Sequence, residues 1–323
     1  MSRRIVEHLL AARVGDLGVY AHRLLGRPYL RQDDFSPAVT PAEASHIEGL
    51  SRRARGNGPA PIIVLGVMPR SGTNFVRDIL ALHPDTCADP GGLHEFPLLH
   101  TARHAAMFRR DYIQYFPSSA DAVGRWDLLA MLAGAWFREL QHEAGNRHIV
   151  LKSPHVQNLS LAPHVFADVR LILCLRDGRD VVDSWTSTFD QARLGRKTFD
   201  QLATEWSLAA QAILDCEPGG PSFHPRMMVV RYEQLQAGDA ALVARMLEHG
   251  DLAPERYDFE AYEALPVRGS SRSTAAAERK WSPQEKDQDF RPVGRWTSWP
   301  ERQRARFDRI AGSVLERAGY ERG

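Results

Sequence analysis

Ile62-Ile63-Val64-Leu65-Gly66-Val67-Met68-Pro69-Arg70-Ser71-Gly72-Thr73-Asn74-Phe75-Val76 is the stretch on which the fold turns. An apolar, β-branched run feeds a short Pro/Ser/Gly turn, and an amphipathic segment from Phe75 to Leu82 follows. The pattern predicts a buried strand that stops at a tight loop whose backbone N–H groups open a helix. Such a loop is an anion cradle, because the first helical N–H groups lack internal partners and the helix dipole favours negative charge there. Arg70 adds a fixed positive charge, and Ser71, Thr73 and Asn74 add short polar side chains. A nucleotide-triphosphate loop reads Gly-x-x-x-x-Gly-Lys-Ser/Thr, with the Lys reaching the β/γ-phosphates. Counted from Gly66, Ser71 stands at the second Gly position and Gly72 at the Lys position. The cation precedes the loop instead, which argues against an ordinary ATPase or kinase.

A second apolar run, Val169 to Leu175, ends at Arg176-Asp177-Gly178-Arg179-Asp180-Val181-Val182-Asp183-Ser184-Trp185. Asp177 suits a helix N-cap and Gly178 a tight turn, which puts Arg176 at the carboxyl end of a strand. Ser184 follows eight residues later, about two helical turns on. By itself this segment reads first as a surface ion-pair cluster at a helix start. Taken together, cation-Ser-Gly-Thr after one strand and Arg-Asp-Gly-Arg-Asp after another resemble the sulfotransferases that use 3′-phosphoadenosine 5′-phosphosulfate (PAPS). The resemblance implies that residues 70–74 hold the 5′-phosphosulfate, and that Arg176 and Ser184 hold the 3′-phosphate.

Further segments are similar to the family in the same order. His148-Ile149-Val150-Leu151-Lys152-Ser153-Pro154 looks like the Lys-Ser/Asp-Pro element of tyrosylprotein, heparan-type and many bacterial sulfotransferases. Met227 to Leu235 resembles a late strand ending in Arg-Tyr-Glu-Asp/Gln-Leu, which implies that Tyr232 lines the adenine pocket. Phe290 to Trp296 resembles the Gly-x-Trp loop that closes over the cofactor, so Arg295 and Trp296 are candidate contacts. The cytosolic branch carries an Arg-Lys-Gly cluster before that loop. Asp289-Phe290-Arg291 stands there in this chain, and Arg268, Ser270 and Ser271 are candidate substitutes. The likeness covers roughly residues 60–320.

Alternation of strands (62–67, 149–152, 170–175, 227–231) with helices (73–82, 125–143, 155–167, 179–188, 199–214, 238–249, 301–318) predicts an α/β fold. Its centre is a P-loop-type parallel β-sheet flanked by helices, in which ligands sit at the carboxyl ends of strands. Arg70, Lys152 and Arg176 then meet at one edge. Residues 1–59 read as an N-terminal helical arm closed by the Gly/Pro-rich linker 52–61, and residues 60–323 as the sulfotransferase domain. The arm is expected to pack on the main domain, although covering the acceptor site or making a homodimer contact are the other readings. Residues 266–293 read as a mobile flap or an ordinary solvated loop.

The chain has 323 residues, 43% hydrophobic and 25% charged, with a formal net charge of +1. These values suit a globular protein and give no whole-chain case for nucleic acid. No run approaches the ~18 apolar residues of a spanning helix, and Glu7, Arg13 and Asp16 interrupt any signal-peptide core. Three scattered cysteines, Cys87, Cys174 and Cys216, offer neither a disulfide framework nor metal spacing. The expected setting is the cytoplasm, without a membrane anchor and without a metal.

The chemistry expected from the resemblance is sulfuryl transfer from PAPS to a hydroxyl acceptor, leaving 3′,5′-adenosine bisphosphate. A kinase-like phosphotransferase and a non-catalytic PAPS-binding protein are the alternatives. Arg70 and the amides of Ser71, Gly72, Thr73 and Asn74 would hold the phosphosulfate, and Lys152 would bridge the leaving oxygen or serve in a salt bridge. The base is sought in Asp89-Pro90-Gly91-Gly92-Leu93-His94-Glu95, with Glu95 preferred to His94 by position. His155 is a further candidate, whereas His83 reads as a capping or packing residue. The acceptor class (lipid, sugar, peptide Tyr or secondary metabolite) has no signature in the sequence.

Overall fold

Five parallel strands form one sheet in the order β2-β3-β1-β4-β5. In the computed structural model, which describes residues 21–22, 25–27, 29–188, 197–266 and 291–323, these are β1 Ile62–Gly66, β2 Thr86–Ala88, β3 His148–Ser153, β4 Arg170–Leu175 and β5 Met227–Arg231. β1 lies between β3 and β4, with Ile62 opposite both Val150 and Arg170 and Gly66 opposite Cys174. Every residue of β1 is buried. Alternation of side chains sends Ile63 and Leu65 to one face and Ile62 and Val64 to the other.

Helices cover both faces. In chain order they include α1 Pro41–Arg55, α2 Thr73–Ala81, α3 Ala102–Tyr115, α4 Asp127–Ala144, α5 Gly178–Thr188, α6 Phe199–Leu214, α7 Tyr232–Gln236, α8 Ala240–His249 and α9 Glu301–Arg317. Ile63, Leu65, Leu171 and Leu173 join Phe137 of α4, Trp206 of α6 and Phe307 of α9 in one apolar core. Ile62, Val64, Ile172 and Cys174 join Val76 and Ile79 of α2 and Val243 and Leu247 of α8 in the other. The chain leaves β1 towards β3 and β2 on one side and β4 and β5 on the other. The direction reverses beside β1, where a crevice opens at the strands' carboxyl ends.

The described part of the N-terminal region packs onto this body. Thr40 caps α1 in a capping box with Glu43, and Pro41 opens the first turn. The helix continues through Arg55, so the stretch from Arg52 expected as linker is helical and the break falls at Gly56, where φ is +71°. Ser51 donates to the Val165 carbonyl at 2.7 Å, and Arg52 pairs with Asp168. A Cβ on Gly134 would come within 2.3 Å of the Ser51 carbonyl, so only Gly lets α4 approach α1 this closely. Phe35 is fully buried in the larger core. The apolar positions from Ile5 to Leu17 lie outside the described residues.

Two further expectations need correction. Residues 155–167 are not one helix but a loop with a short turn at Leu159–Leu161 and a helical turn at Ala162–Val165. Asn158 adopts left-handed backbone at φ +58°, Pro163 removes a donor, and the Asn158 amide bonds the Leu99 carbonyl instead. No helix is predicted between 82 and 125, yet Ala102–Tyr115 forms α3. Among the described residues, no helix is long and apolar enough to cross a membrane.

If the segment around Phe35 belongs to the core, Phe35→Ala should lower the unfolding free energy by about 3–5 kcal/mol. Urea titration checks this, and a loss under about 1 kcal/mol, as at a surface position, would show that the segment contributes little.

Candidate active site

Between β1 and α2 the chain turns through two residues of positive φ, Arg70 at +84° and Gly72 at +94°. A non-glycine residue there is strained, and such strain persists only where surrounding contacts hold it. Arg70 Nε donates to Ser184 Oγ at 3.0 Å, and the Arg70 carbonyl accepts from Arg176 Nη1 at 2.6 Å. The expected group of Arg70, Arg176 and Ser184 is therefore brought together, with Arg176 and Ser184 both buried. Burial, then the neighbouring charges of Arg176 and Arg295, lower the Arg70 pKa to about 10.

Tyr232 floors this loop. A Cβ on Gly72 would meet its ring at 2.2 Å, and the Arg176 guanidinium lies 4.4 Å above the ring centroid. Cys174 Sγ donates to the Ser71 carbonyl at 3.2 Å from within the core, while burial pushes its thiol pKa up. Trp206 is core too, its indole N–H donating to the Arg176 carbonyl at 3.0 Å.

At the neighbouring strand end Lys152 is 4% exposed, and its Nζ meets Glu95 Oε1 at 2.5 Å. The backbone N–H of Phe96 donates to the Lys152 carbonyl at 2.7 Å, which ties the loop carrying Glu95 to β3. His94 points elsewhere. Its exposed ring has Nδ1 3.2 Å from Asp89, which itself binds Arg77 at 2.5 Å.

A family model described as the Sulfotransferase family matches residues 61–255. The chain belongs to the sulfotransferase family. Protein-tyrosine sulfotransferase A of Caenorhabditis elegans is 25% identical over 278 residues, spanning 82% of this chain and 68% of that protein. The sulfotransferase domain of the Synechococcus PCC 7002 olefin synthase shares the fold with a TM-score of 0.52 and 19% identity, covering 83% of this chain and 98% of that domain.

The residues of this sulfotransferase fit an anionic nucleotide such as PAPS. Ser71 Oγ and Arg176 Nε are buried polar atoms without a hydrogen-bond partner, beside the open amides at the start of α2. Satisfying both, and neutralising the crowded guanidinium groups, calls for an acceptor-rich anion. Arg295 and Trp296 stand at the same edge, in a short turn spanning Arg295–Ser298. Arg268, Ser270 and Ser271 lie outside the described residues, as does most of the expected flap.

Sequence reading picked out Asp177 as an N-cap but passed over the other acidic supports, Asp180 and Glu233. Asp177 Oδ1 accepts from the Arg179 backbone N–H as an N-cap would, and its carboxylate also grips the Arg179 side chain. Glu233 accepts from the Asp177 backbone at 2.9 Å and from Tyr320 at 2.8 Å. Asp180 is fully buried and accepts from the closing turn. Only the occurrence of Asp180 and Glu233 in a first helical turn marked those two in advance.

His83 is buried, with Nε2 3.0 Å from the Ala253 carbonyl, which matches a packing role. His155 stacks on His100 with ring centroids 4.1 Å apart. Burial, followed by the charges of His100 and Lys197, lowers its pKa to about 3, so the ring is neutral at physiological pH and poorly suited to accept a proton. Because the folded pKa lies below the unfolded one, His155 contributes stability above about pH 6.5 that is lost as pH falls towards 3. His155→Phe should therefore flatten the fall in unfolding free energy from pH 6.5 to 5, by up to about 1.4 kcal/mol per pH unit. Urea melts at a series of pH values check this, and an unaltered slope would contradict it.

Proposed function

We propose that this sulfotransferase moves a sulfuryl group from PAPS to a hydroxyl acceptor by in-line displacement. The observation that carries the reading is the crowding of Arg70, Arg176 and Arg295 beside the orphaned Ser71 hydroxyl at the carboxyl edge of the sheet. Bound PAPS would supply a sulfuryl group activated as a mixed phosphate–sulfate anhydride, transferred as its S–O bond to the 5′-phosphate is exchanged for one to the acceptor oxygen. Arg70 and the amides of residues 71–74 hold the phosphosulfate, and Arg176 and Ser184 hold the 3′-phosphate. Lys152 places a buried positive charge where negative charge grows on the departing oxygen. Glu95, held by Lys152 through Oε1, takes the acceptor's proton at its carboxylate. Tyr232 and Trp296 provide aromatic surface beside the nucleotide. This distribution matches the parts needed for positioning and charge compensation in a group transfer with little covalent chemistry for the protein to perform.

Incubation with sulfur-35-labelled PAPS and a pool of hydroxyl compounds should yield a labelled acceptor, whereas γ-labelled ATP with Mg²⁺ should yield none. Phosphate transfer from ATP in place of sulfate transfer would reject the reading.

Arg176→Ala should weaken 3′,5′-adenosine bisphosphate more than 5′-AMP, by about 1.5–3 kcal/mol, the worth of the charge-assisted contact to the 3′-phosphate. Calorimetry on both nucleotides decides, and equal losses would remove the 3′-phosphate assignment.

Glu95→Gln preserves shape but removes proton-accepting power, so turnover should fall roughly 10²–10⁴-fold with nucleotide affinity nearly unchanged. Near-normal turnover in that variant, with a large loss in His94→Ala, would move the role to His94.

A further inference from the structure

Residues 176–183 grip the closing segment at several points, and one buried acid takes the largest share. Asp180 is 0% exposed, and its carboxylate accepts from the backbone N–H groups of Gly294 at 2.8 Å, Arg295 at 2.7 Å and Trp296 at 3.3 Å. Gly294 has φ +75°, which turns these successive amides inward around one anion. Neighbouring contacts run in parallel. The Arg295 side chain meets Asp183 at 2.9 Å, and the Arg179 guanidinium lies 3.4 Å from the Trp296 ring centroid. Arg176 Nη2 donates to the Pro292 carbonyl, just ahead of the amides that Asp180 collects. The same helix carries Ser184, the partner of Arg70.

We propose that Asp180 is a positioning residue of the nucleotide site, seating residues 292–296 against the Arg176–Ser184 pair so that a ribose 3′-phosphate meets a preformed wall. This deepens the PAPS reading and rests on it for the identity of the ligand. A buried carboxylate is costly unless it is well supplied with donors, and the closing turn supplies three. The arrangement is thus mutual: the turn satisfies Asp180, and Asp180 fixes the turn. Through the Pro292 carbonyl the seated segment also orients Arg176. Removing the negative charge at position 180 should loosen the turn, free the Arg176 guanidinium to swing, and penalise nucleotides in proportion to their use of the 3′-phosphate. A purely structural acid would act on all nucleotides alike, through global stability.

Asp180→Asn is the direct variant, and Gly294→Ala is the second, because it strains the turn while leaving the acid in place. Amide hydrogen exchange of the ligand-free proteins, read by mass spectrometry, should show residues 293–297 exchanging at least about tenfold faster in both variants, with β1 and β4 unchanged. Calorimetry should show affinity for 3′,5′-adenosine bisphosphate falling on the order of tenfold, with 5′-AMP unaffected. Unaltered exchange at 293–297, or acceleration spread equally over the sheet, would overturn the positioning role. Equal losses for the two nucleotides would overturn its link to the 3′-phosphate. Should the wild-type protein fail to bind the bisphosphate, the PAPS reading falls, and the exchange comparison still decides whether Asp180 seats the turn.

Discussion

The contact between Arg176 and the Arg70 carbonyl, with Arg70 reaching Ser184 in return, is the constraint on which the site depends. It crosses from the loop after β1 to the helix after β4, and so closes the crevice that parallel topology opens beside β1. Holding two guanidinium groups this close opposes both solvation and Coulomb's law, and the lowered pKa of Arg70 expresses that opposition. The positive φ of Arg70 adds backbone strain at the same place. The apolar sheet beneath, fully buried through β1, supplies the rigidity that keeps the pair together.

Carboxylates partner several groups around the cluster directly. Asp177 pairs with Arg179, Asp183 with Arg295, and Asp180 with backbone amides of the closing turn. Burial raises the pKa of Asp180 and of Glu233, and hydrogen-bond donors around each oppose the shift. These pairings balance local charge around the cluster. Lys152 follows a different arrangement, since its partner Glu95 is part of the chemistry assigned to the site.

Much of this frame was legible in the sequence because short apolar runs ending at Gly, Pro or charged residues mark buried parallel strands. The bounds of α6 were read as 199–214, and the structure opens it there behind a capping box of Thr198 and Gln201. β2 spans only Thr86–Ala88, too short to show a period. The 155–167 stretch looked helical by composition, but its course is decided by Asn158 in left-handed backbone, which pattern does not encode. In the site, Arg70, Arg176 and Ser184 were readable from spacing and family likeness together. The meeting of Glu95 with Lys152 spans 57 residues and depends on one backbone bond from Phe96, so position along the chain only hinted at it. Asp180 was hidden because its partners, the amides of 294–296, carry no side-chain signal.

A crystal structure of the complex with 3′,5′-adenosine bisphosphate tests most directly whether the guanidinium cluster is an anion cradle for this nucleotide. The expected result is a 5′-phosphate on the amides of residues 71–74, within hydrogen-bonding distance of Ser71 Oγ, and a 3′-phosphate between Arg176 and Ser184. A nucleotide bound with its two phosphates exchanged, or seated away from the β1–β4 crevice, would contradict the cradle.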